Sequence, residues 1–133
     1  MKSFIEYLSE ENNQCALITK QDLAALEQFA DRLLDKFGID IEFTKHFGDR
    51  MSDDRNNPCI TLGELKDLFQ KIYANKGKKI RKARADEAVL KDIQSNLNLP
   101  IVIDVDRKGD LDITLKTIMR KKKFSSPDPA ITY

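Results

Sequence analysis

The sequence predicts an α+β fold, in which N-terminal helices pack on a small, mainly antiparallel sheet. Apolar residues recur at helical spacing in the first half of the 133-residue chain, and the C-terminal part changes to the alternating pattern of strands. No apolar run approaches the ~20 residues that cross a bilayer, so no membrane partner is expected. Residues 15–133 are expected to form a single domain, preceded by a separate segment, residues 1–10.

The first half supplies two capped helices and one strand. Thr19 with Asp22 resembles a capping box for a helix over residues 19–37, which Gly38 ends. Residues 39–43 alternate apolar and polar, as a half-buried strand does, and the polar segment 44–58 predicts a helical turn and a loop. Thr61 and Glu64 form a second capping box, which predicts a helix that ends near Gly77.

The second half is predicted to contain one more helix and a hairpin. Residues 84–96 carry apolar side chains on one side and predict a helix. Residues 100–105 and 111–119 predict two strands, joined by a turn over residues 107–110. Two prolines make residues 127–129 irregular.

Charge is unevenly distributed, although the formal net charge is only +1. Residues 1–65 hold 7 Lys and Arg against 13 Asp and Glu, whereas residues 66–133 hold 16 against 9. The basic residues of the second half form two clusters, which indicate a surface that binds nucleic acid. A solvated, Lys-rich connection is the alternative. The predicted nucleic-acid-binding residues are Lys71, Lys78, Lys79, Arg81, Lys82 and Arg84 in the first cluster, and Lys121 and Lys122 in the second.

Cysteine and acidic residues give no indication of a metal site. Cys15 and Cys59 are isolated and the chain has one histidine, so we expect reduced thiols in a cytoplasmic setting rather than zinc or a disulfide framework. Residues 104–115 begin like a calcium loop, but Lys108 and Leu115 occupy positions that need oxygen ligands. Neither a metal nor another cofactor is expected.

The first ten residues, MKSFIEYLSE, combine a Met-Lys start, apolar residues at helical spacing and the ending Leu8-Ser9-Glu10. They resemble the capsid-targeting leader of the internal head proteins of T-even-type phages, which a prohead protease cuts after an apolar-x-Glu site. The resemblance implies docking to the phage scaffold or capsid through residues 1–10, processing at Leu8 and Glu10, and a location inside the virion and then in the host cytoplasm. The alternative is an ordinary amphipathic helix that packs on its own domain.

His46 is the one histidine, so any histidine-based acid–base chemistry must use it. On a helical turn, His46 and Arg50 lie on one face, and Arg55 follows in the loop. Cleavage of RNA without a metal needs a base, an acid and cations for the phosphorane, which are roles for His and Arg. The alternative is a histidine held by Asp49 or Asp53, with the arginines in surface salt bridges.

Residues 41–131 resemble the phage-associated branch of the barnase–EndoU–colicin–RelE nuclease superfamily. The resemblance rests on His46 and Arg50, the helix opened by Thr61 and Glu64, and the strands over residues 101–105 and 111–119. It implies a metal-independent endoribonuclease that leaves a cyclic phosphate, with basic residues on the active face of the sheet. Thr117 and Arg120 become further catalytic candidates, and Lys122 a further site candidate.

Three functions fit these observations. The first is a capsid-packaged, injected ribonuclease that acts on host RNA. The second is an injected binding module that blocks a host defence enzyme or nucleic-acid-binding protein. The third is an internal head protein whose basic face condenses packaged DNA.

Overall fold

The structure is a computed structural model that describes residues 17–133, so the leader-like segment and Cys15 lie outside the described residues. The helices of this part are α1 (Lys20–Leu34), α2 (Phe47–Met51), α3 (Leu62–Ala74) and α4 (Lys78–Ala83), with a 3₁₀ turn, Asp35–Phe37, after α1. The strands are β1 (Ile39–Phe43), β2 (Glu87–Asp92), β3 (Leu97–Val105), β4 (Leu111–Leu115), β5 (Met119–Arg120) and β6 (Ala130–Thr132). The predicted α+β fold is confirmed.

The two long helices begin at the predicted capping boxes. The Thr19 and Thr61 hydroxyls accept hydrogen bonds from the backbone N–H three residues later, and the carboxylates of Asp22 and Glu64 accept one from each threonine N–H in return. Gly38 ends the 3₁₀ turn with a φ of 71°, the left-handed conformation that glycine adopts without strain. The local signals in the sequence therefore set these boundaries.

The sheet is mixed, in the order β1-β4-β3-β2-β6, and β5 pairs with the start of β3. The hairpins β2–β3 and β3–β4 are antiparallel, whereas β1 is parallel to β4 and β6 is parallel to β2. The sheet of the described residues is thus antiparallel at its centre and parallel at both ends.

The core lies between one face of the sheet and the helices α1 and α3. Both helices turn an apolar stripe inwards, against alternate residues of β1, β3 and β4. Burial of each such large side chain stabilises the fold by about 1.5–3 kcal/mol. The buried helical residues are Leu26, Ala30 and Leu34 of α1, and Leu65, Leu68, Phe69 and Ile72 of α3.

Two predicted elements are wrong. The expected helix over residues 84–96 is instead β2 and the turn that leads to the next strand, β3. Ala88, Val89 and Leu90 are buried in succession, and a helix with one buried side cannot bury three consecutive residues. The expected strand over residues 111–119 ends at Leu115, and β5 then pairs with the other end of β3. The basic run that was not assigned to an element forms α4.

Cys59 is bonded in a disulfide, which corrects the expectation of reduced thiols. Isolation in the sequence did not exclude this bond, because a disulfide requires proximity in space and not along the chain.

Within residues 17–133, no helix is both long and apolar enough to span a bilayer.

Candidate nucleic-acid interface

A groove of about 500 Å³ lies beside α2 and combines residues from distant parts of the chain. Arg50 comes from α2 and Arg55 from the loop after it, whereas Thr117 precedes β5 and Lys121 follows it. Arg120 also lines this cavity, which we call the α2 groove. Four of the five predicted catalytic residues therefore meet here, and His46 is not among the lining residues.

The short helix α2 is held by its apolar side and by one buried amide. Phe47 and Met51 are fully buried, which turns Arg50 towards the surface. The Asn56 Nδ2 donates to the carbonyl of Arg50 at 2.9 Å, and its Oδ1 accepts from the Arg120 N–H at 2.8 Å. Asn56 thus joins the two walls of the α2 groove. It was not predicted as a site residue, since the sequence Asn-Asn-Pro indicates only a loop.

The Arg120 side chain is only 9% exposed, and its guanidinium donates to several acceptors of the chain. Nε donates to the carbonyl of Pro58, and Nη2 to the carbonyl of Cys59. Nη1 donates to the carbonyl of Ser95, and both Nη atoms contact the carboxylate of Glu64 at 2.7–2.9 Å. A guanidinium has five N–H donors, and all five are used. The catalytic role expected for Arg120 does not fit these contacts, because no donor remains for a phosphate.

Arg55 forms a bidentate pair with Asp53. Its Nη2 lies 2.7 Å from Oδ2, and its Nε lies 3.1 Å from Oδ1. The side-chain and backbone hydrogen bonds of Arg55 lower the pKa of Asp53 to about 2. The charge of Arg55 is therefore partly neutralised. Arg50 and Lys121 are the groove cations with no salt bridge to any residue in the described part of the chain.

His46 precedes α2, and its side chain is 71% exposed. Its Nδ1 lies 3.4 Å from Oδ2 of Asp49, which is a long and weak contact. Helical spacing brings His46, Asp49 and Arg50 to the same exposed side of α2. The imidazole is accessible, at the end of α2 opposite to the one that enters the groove.

The first basic cluster is divided between structural and exposed side chains. Arg81 donates to the carbonyls of Gly109 and Phe37 at 2.7 and 2.6 Å, and so connects two turns. Lys79 donates to the carbonyl of Thr132, and Lys71 pairs with Asp92 at 2.7 Å. The side chains of the remaining predicted cations are exposed and form no hydrogen bond or ion pair with another described residue: Lys78, Lys82, Arg84 and Lys122.

Where β1, β3 and β4 form it, the face of the sheet that points away from α1 and α3 is acidic, which corrects the expectation of a basic active face for this part of the sheet. Alternation along β1, β3 and β4 brings Asp40, Glu42, Asp104 and Asp112 to this side. Partial burial, followed by the negative charges of Asp31, Asp112 and Asp35, raises the pKa of Asp40. A polyanion would be repelled here.

In residues 17–133, no group of three or more His, Cys, Asp or Glu side chains has the arrangement of a metal site. No protein-family model, curated protein or solved structure was found to match the chain.

Proposed function

We propose that the chain binds single-stranded nucleic acid, RNA in particular, with the phosphate backbone in the α2 groove. The observation that carries the proposal is the meeting of Arg50 and Lys121 in one concave surface, together with the hydroxyl of Thr117. Lys and Arg supply the electrostatic affinity for phosphates, and a hydroxyl adds a neutral hydrogen bond. The preference for RNA rests on the nuclease resemblance of residues 41–131.

The distribution of charge favours this groove over the open face of the sheet. Asp40, Glu42 and their neighbours repel phosphates, whereas the exposed Lys122 lies in the same basic segment as Lys121. The exposed lysines of α4 add to the positive field that attracts a polyanion from a distance.

Binding is tested by fluorescence anisotropy with labelled single-stranded RNA, single-stranded DNA and duplex DNA over a series of salt concentrations. Loss of one phosphate contact reduces the slope of log K against log salt by about 0.7 for a single strand. We expect this reduction, with several-fold weaker binding at low salt, for both Arg50→Ala and Lys121→Ala.

The matched control is Arg32→Ala, which removes one positive charge from the exposed side of α1. It should leave the slope unchanged. If Arg50→Ala and Lys121→Ala change the salt slope no more than Arg32→Ala does, the α2 groove is rejected as the interface. If the parent binds no oligonucleotide at all, a protein-blocking function is favoured instead. A preference for duplex DNA would favour the DNA-condensing function.

A second candidate function, metal-independent cleavage of the bound RNA, is favoured by the pair of His46 and Asp49. The Asp49 carboxylate lies beside Nδ1, and the exposed ring leaves Nε2 open to solvent, where it can accept the proton of a 2′-hydroxyl. Arg50, on the same side of α2, would stabilise the charge of the phosphorane.

Cleavage is tested by incubating the protein with RNA in EDTA and by analysing the product ends. The expected product carries a 2′,3′-cyclic phosphate, and His46→Ala should lower the rate by about 100-fold or more. His46→Ala should leave binding intact, because the ring is outside the α2 groove. Cleavage that survives both His46→Ala and Arg50→Ala would remove the catalytic candidate and leave the binding proposal standing.

The leader-like residues 1–10 support a phage setting, in which the chain is packaged in the capsid and delivered to the host cytoplasm. Removal of the segment after Glu10 would leave a mature chain that begins at Glu11. Mass spectrometry of the protein from purified virions tests this, and a chain in virions that retains Met1 would contradict it.

A further inference from the structure

We propose that a second groove, adjacent to the α2 groove, receives an unstacked base of the bound strand and selects among bases. This inference rests on the proposed binding function. The second groove has a volume of about 710 Å³ and lies between α3 and the turn that joins β2 to β3. We call it the α3 groove.

Arg120 connects the two grooves, since it contributes to the lining of both. Its bonds to Pro58 and Ser95 attach it to walls of the α3 groove, and its backbone N–H binds Asn56 in the α2 groove. A strand with its phosphates beside Arg50 and Lys121 therefore passes a short ridge, and a base turned across this ridge enters the α3 groove.

The charges of the α3 groove favour a base over a phosphate. Lys71 is paired with Asp92, and Glu64 with Arg120. Asp67 is the acidic side chain of the lining that has no salt bridge or hydrogen bond to a described residue. Its uncompensated negative charge repels a phosphate, whereas a carboxylate accepts hydrogen bonds from the amino groups of bases.

The neutral side chains of the α3 groove match the edges of bases. Gln70, Gln94 and Asn96 line it, and the side chains of Gln70 and Asn96 form no hydrogen bond with another described residue. A carboxamide offers donors and an acceptor at once, which is the pattern that reads base edges. With its N–H groups all used, Arg120 has no donor left to attract a phosphate into the α3 groove.

The walls are held in position before any ligand arrives. Asp92 is buried, and its Oδ1 accepts from Lys71 at 2.7 Å while its Oδ2 accepts from the Ser95 hydroxyl at 2.9 Å. These bonds connect α3, which carries Gln70, to the β2–β3 turn, which carries Gln94, and so hold the two walls together. A pre-organised groove can discriminate between bases because it does not adapt its shape to each of them.

The test uses homopolymers of 2′-O-methyl adenosine, cytidine and uridine, which cannot be cleaved through the 2′-hydroxyl. Affinity and salt slope are measured for the parent and for the variants Gln70→Ala and Gln94→Ala. The parent should prefer one homopolymer by about fivefold or more. Each variant should reduce this preference and leave the salt slope unchanged, because it removes a neutral side chain that contacts no phosphate.

Gln28→Ala, on the exposed side of α1, is the matched control and should retain the preference. Alanine is the best helix former, so Gln70→Ala in α3 is expected to fold. Equal affinity of the parent for all homopolymers, or a preference that persists in both variants, would overturn the base site and leave the phosphate groove intact. Failure of every homopolymer and natural RNA to bind would reject the proposed function itself.

Discussion

Arg120 connects four parts of the molecule through one side chain. It binds Pro58 and Cys59 in the loop before α3, Glu64 in the first turn of α3, and Ser95 in the β2–β3 turn, while its own backbone belongs to β5. Burial opposes the ionised form of Glu64, but the hydrogen bonds from Arg120 and Thr61 outweigh it and lower the pKa of Glu64. The ridge between the two grooves therefore depends on this ion pair.

Replacement of Arg120 by methionine should destabilise the fold by about 3 kcal/mol, because a partly buried Glu64 is left without its partner. The free energy of unfolding in denaturant is the measurement, and Lys123→Met, which changes an exposed side chain, is the control. The double variant Arg120→Met with Glu64→Gln should lose less than the sum of the single variants. Additive losses would show that the pair is not coupled.

The pair also predicts the direction of a pH effect. The pKa of Glu64 is lower in the folded state than in the unfolded state, so its contribution to stability is present above the unfolded pKa, about 4.5. It is lost as pH falls through the folded pKa. The stability difference between the parent and Glu64→Gln should thus shrink in acid, and a constant difference from neutral to strongly acidic pH would contradict this.

At the scale of elements, local signals were sufficient for the capped helices and insufficient for β2. The starts of α1 and α3 could be predicted from Thr19 and Thr61, because all the residues of a capping box lie within four consecutive positions. The second strand contains good helix formers, but it is stabilised by residues far along the chain. The Val89 N–H donates to the carbonyl of Pro129, and Lys91 Nζ donates to the carbonyl of Phe124. A pattern within one segment does not contain these partners.

In the candidate site, too, local features could be predicted from the sequence, whereas features that depend on distant residues could not. Helical spacing predicted that His46 and Arg50 share one side of α2, and both residues are exposed, but only Arg50 lines the α2 groove. The opposite wall of the α2 groove depends on the pairing of β5 with β3, in which Arg120 is opposite Leu97, and on the bonds of Asn56. Thr117 and Arg120 were suggested by the nuclease resemblance and not by any spacing. No sequence pattern indicated the α3 groove. Its carboxamide side chains come from α3 and from the β2–β3 turn, and this turn was predicted to be helical.

At the scale of the molecule, acidic and basic side chains lie on separate surfaces, but each surface takes residues from both halves of the sequence. The acidic first half supplies Asp40 and Glu42 to the open face of the sheet, where β3 and β4 add Asp104 and Asp112. The first half also supplies Arg50 to the α2 groove, where Lys121 from the basic second half joins it. The pairing of strands, rather than the position in sequence, thus decides which charges lie together.

Repulsion on the open sheet face predicts a stabilising substitution. Burial and the charges of Asp31, Asp112 and Asp35 raise the pKa of Asp40, so the folded state holds this proton more tightly than the unfolded state does. The ionised carboxylate therefore destabilises the fold at neutral pH, and stability recovers as pH falls through the raised pKa towards the unfolded value. Asp40→Asn should raise the free energy of unfolding at neutral pH by about 0.5 kcal/mol, a small effect because the side chain is exposed and screened by solvent.

The gain from Asp40→Asn should disappear below about pH 4, where the parent carboxyl is protonated in both states. Asp54→Asn removes the same charge from an exposed loop residue that forms no salt bridge or hydrogen bond with a described residue, and it is the control. Denaturant unfolding of the three proteins across this pH range separates the local repulsion from net charge. An equal gain in both variants would assign the effect to net charge, and a loss on Asp40→Asn would mean that the carboxylate is held by an attractive contact instead.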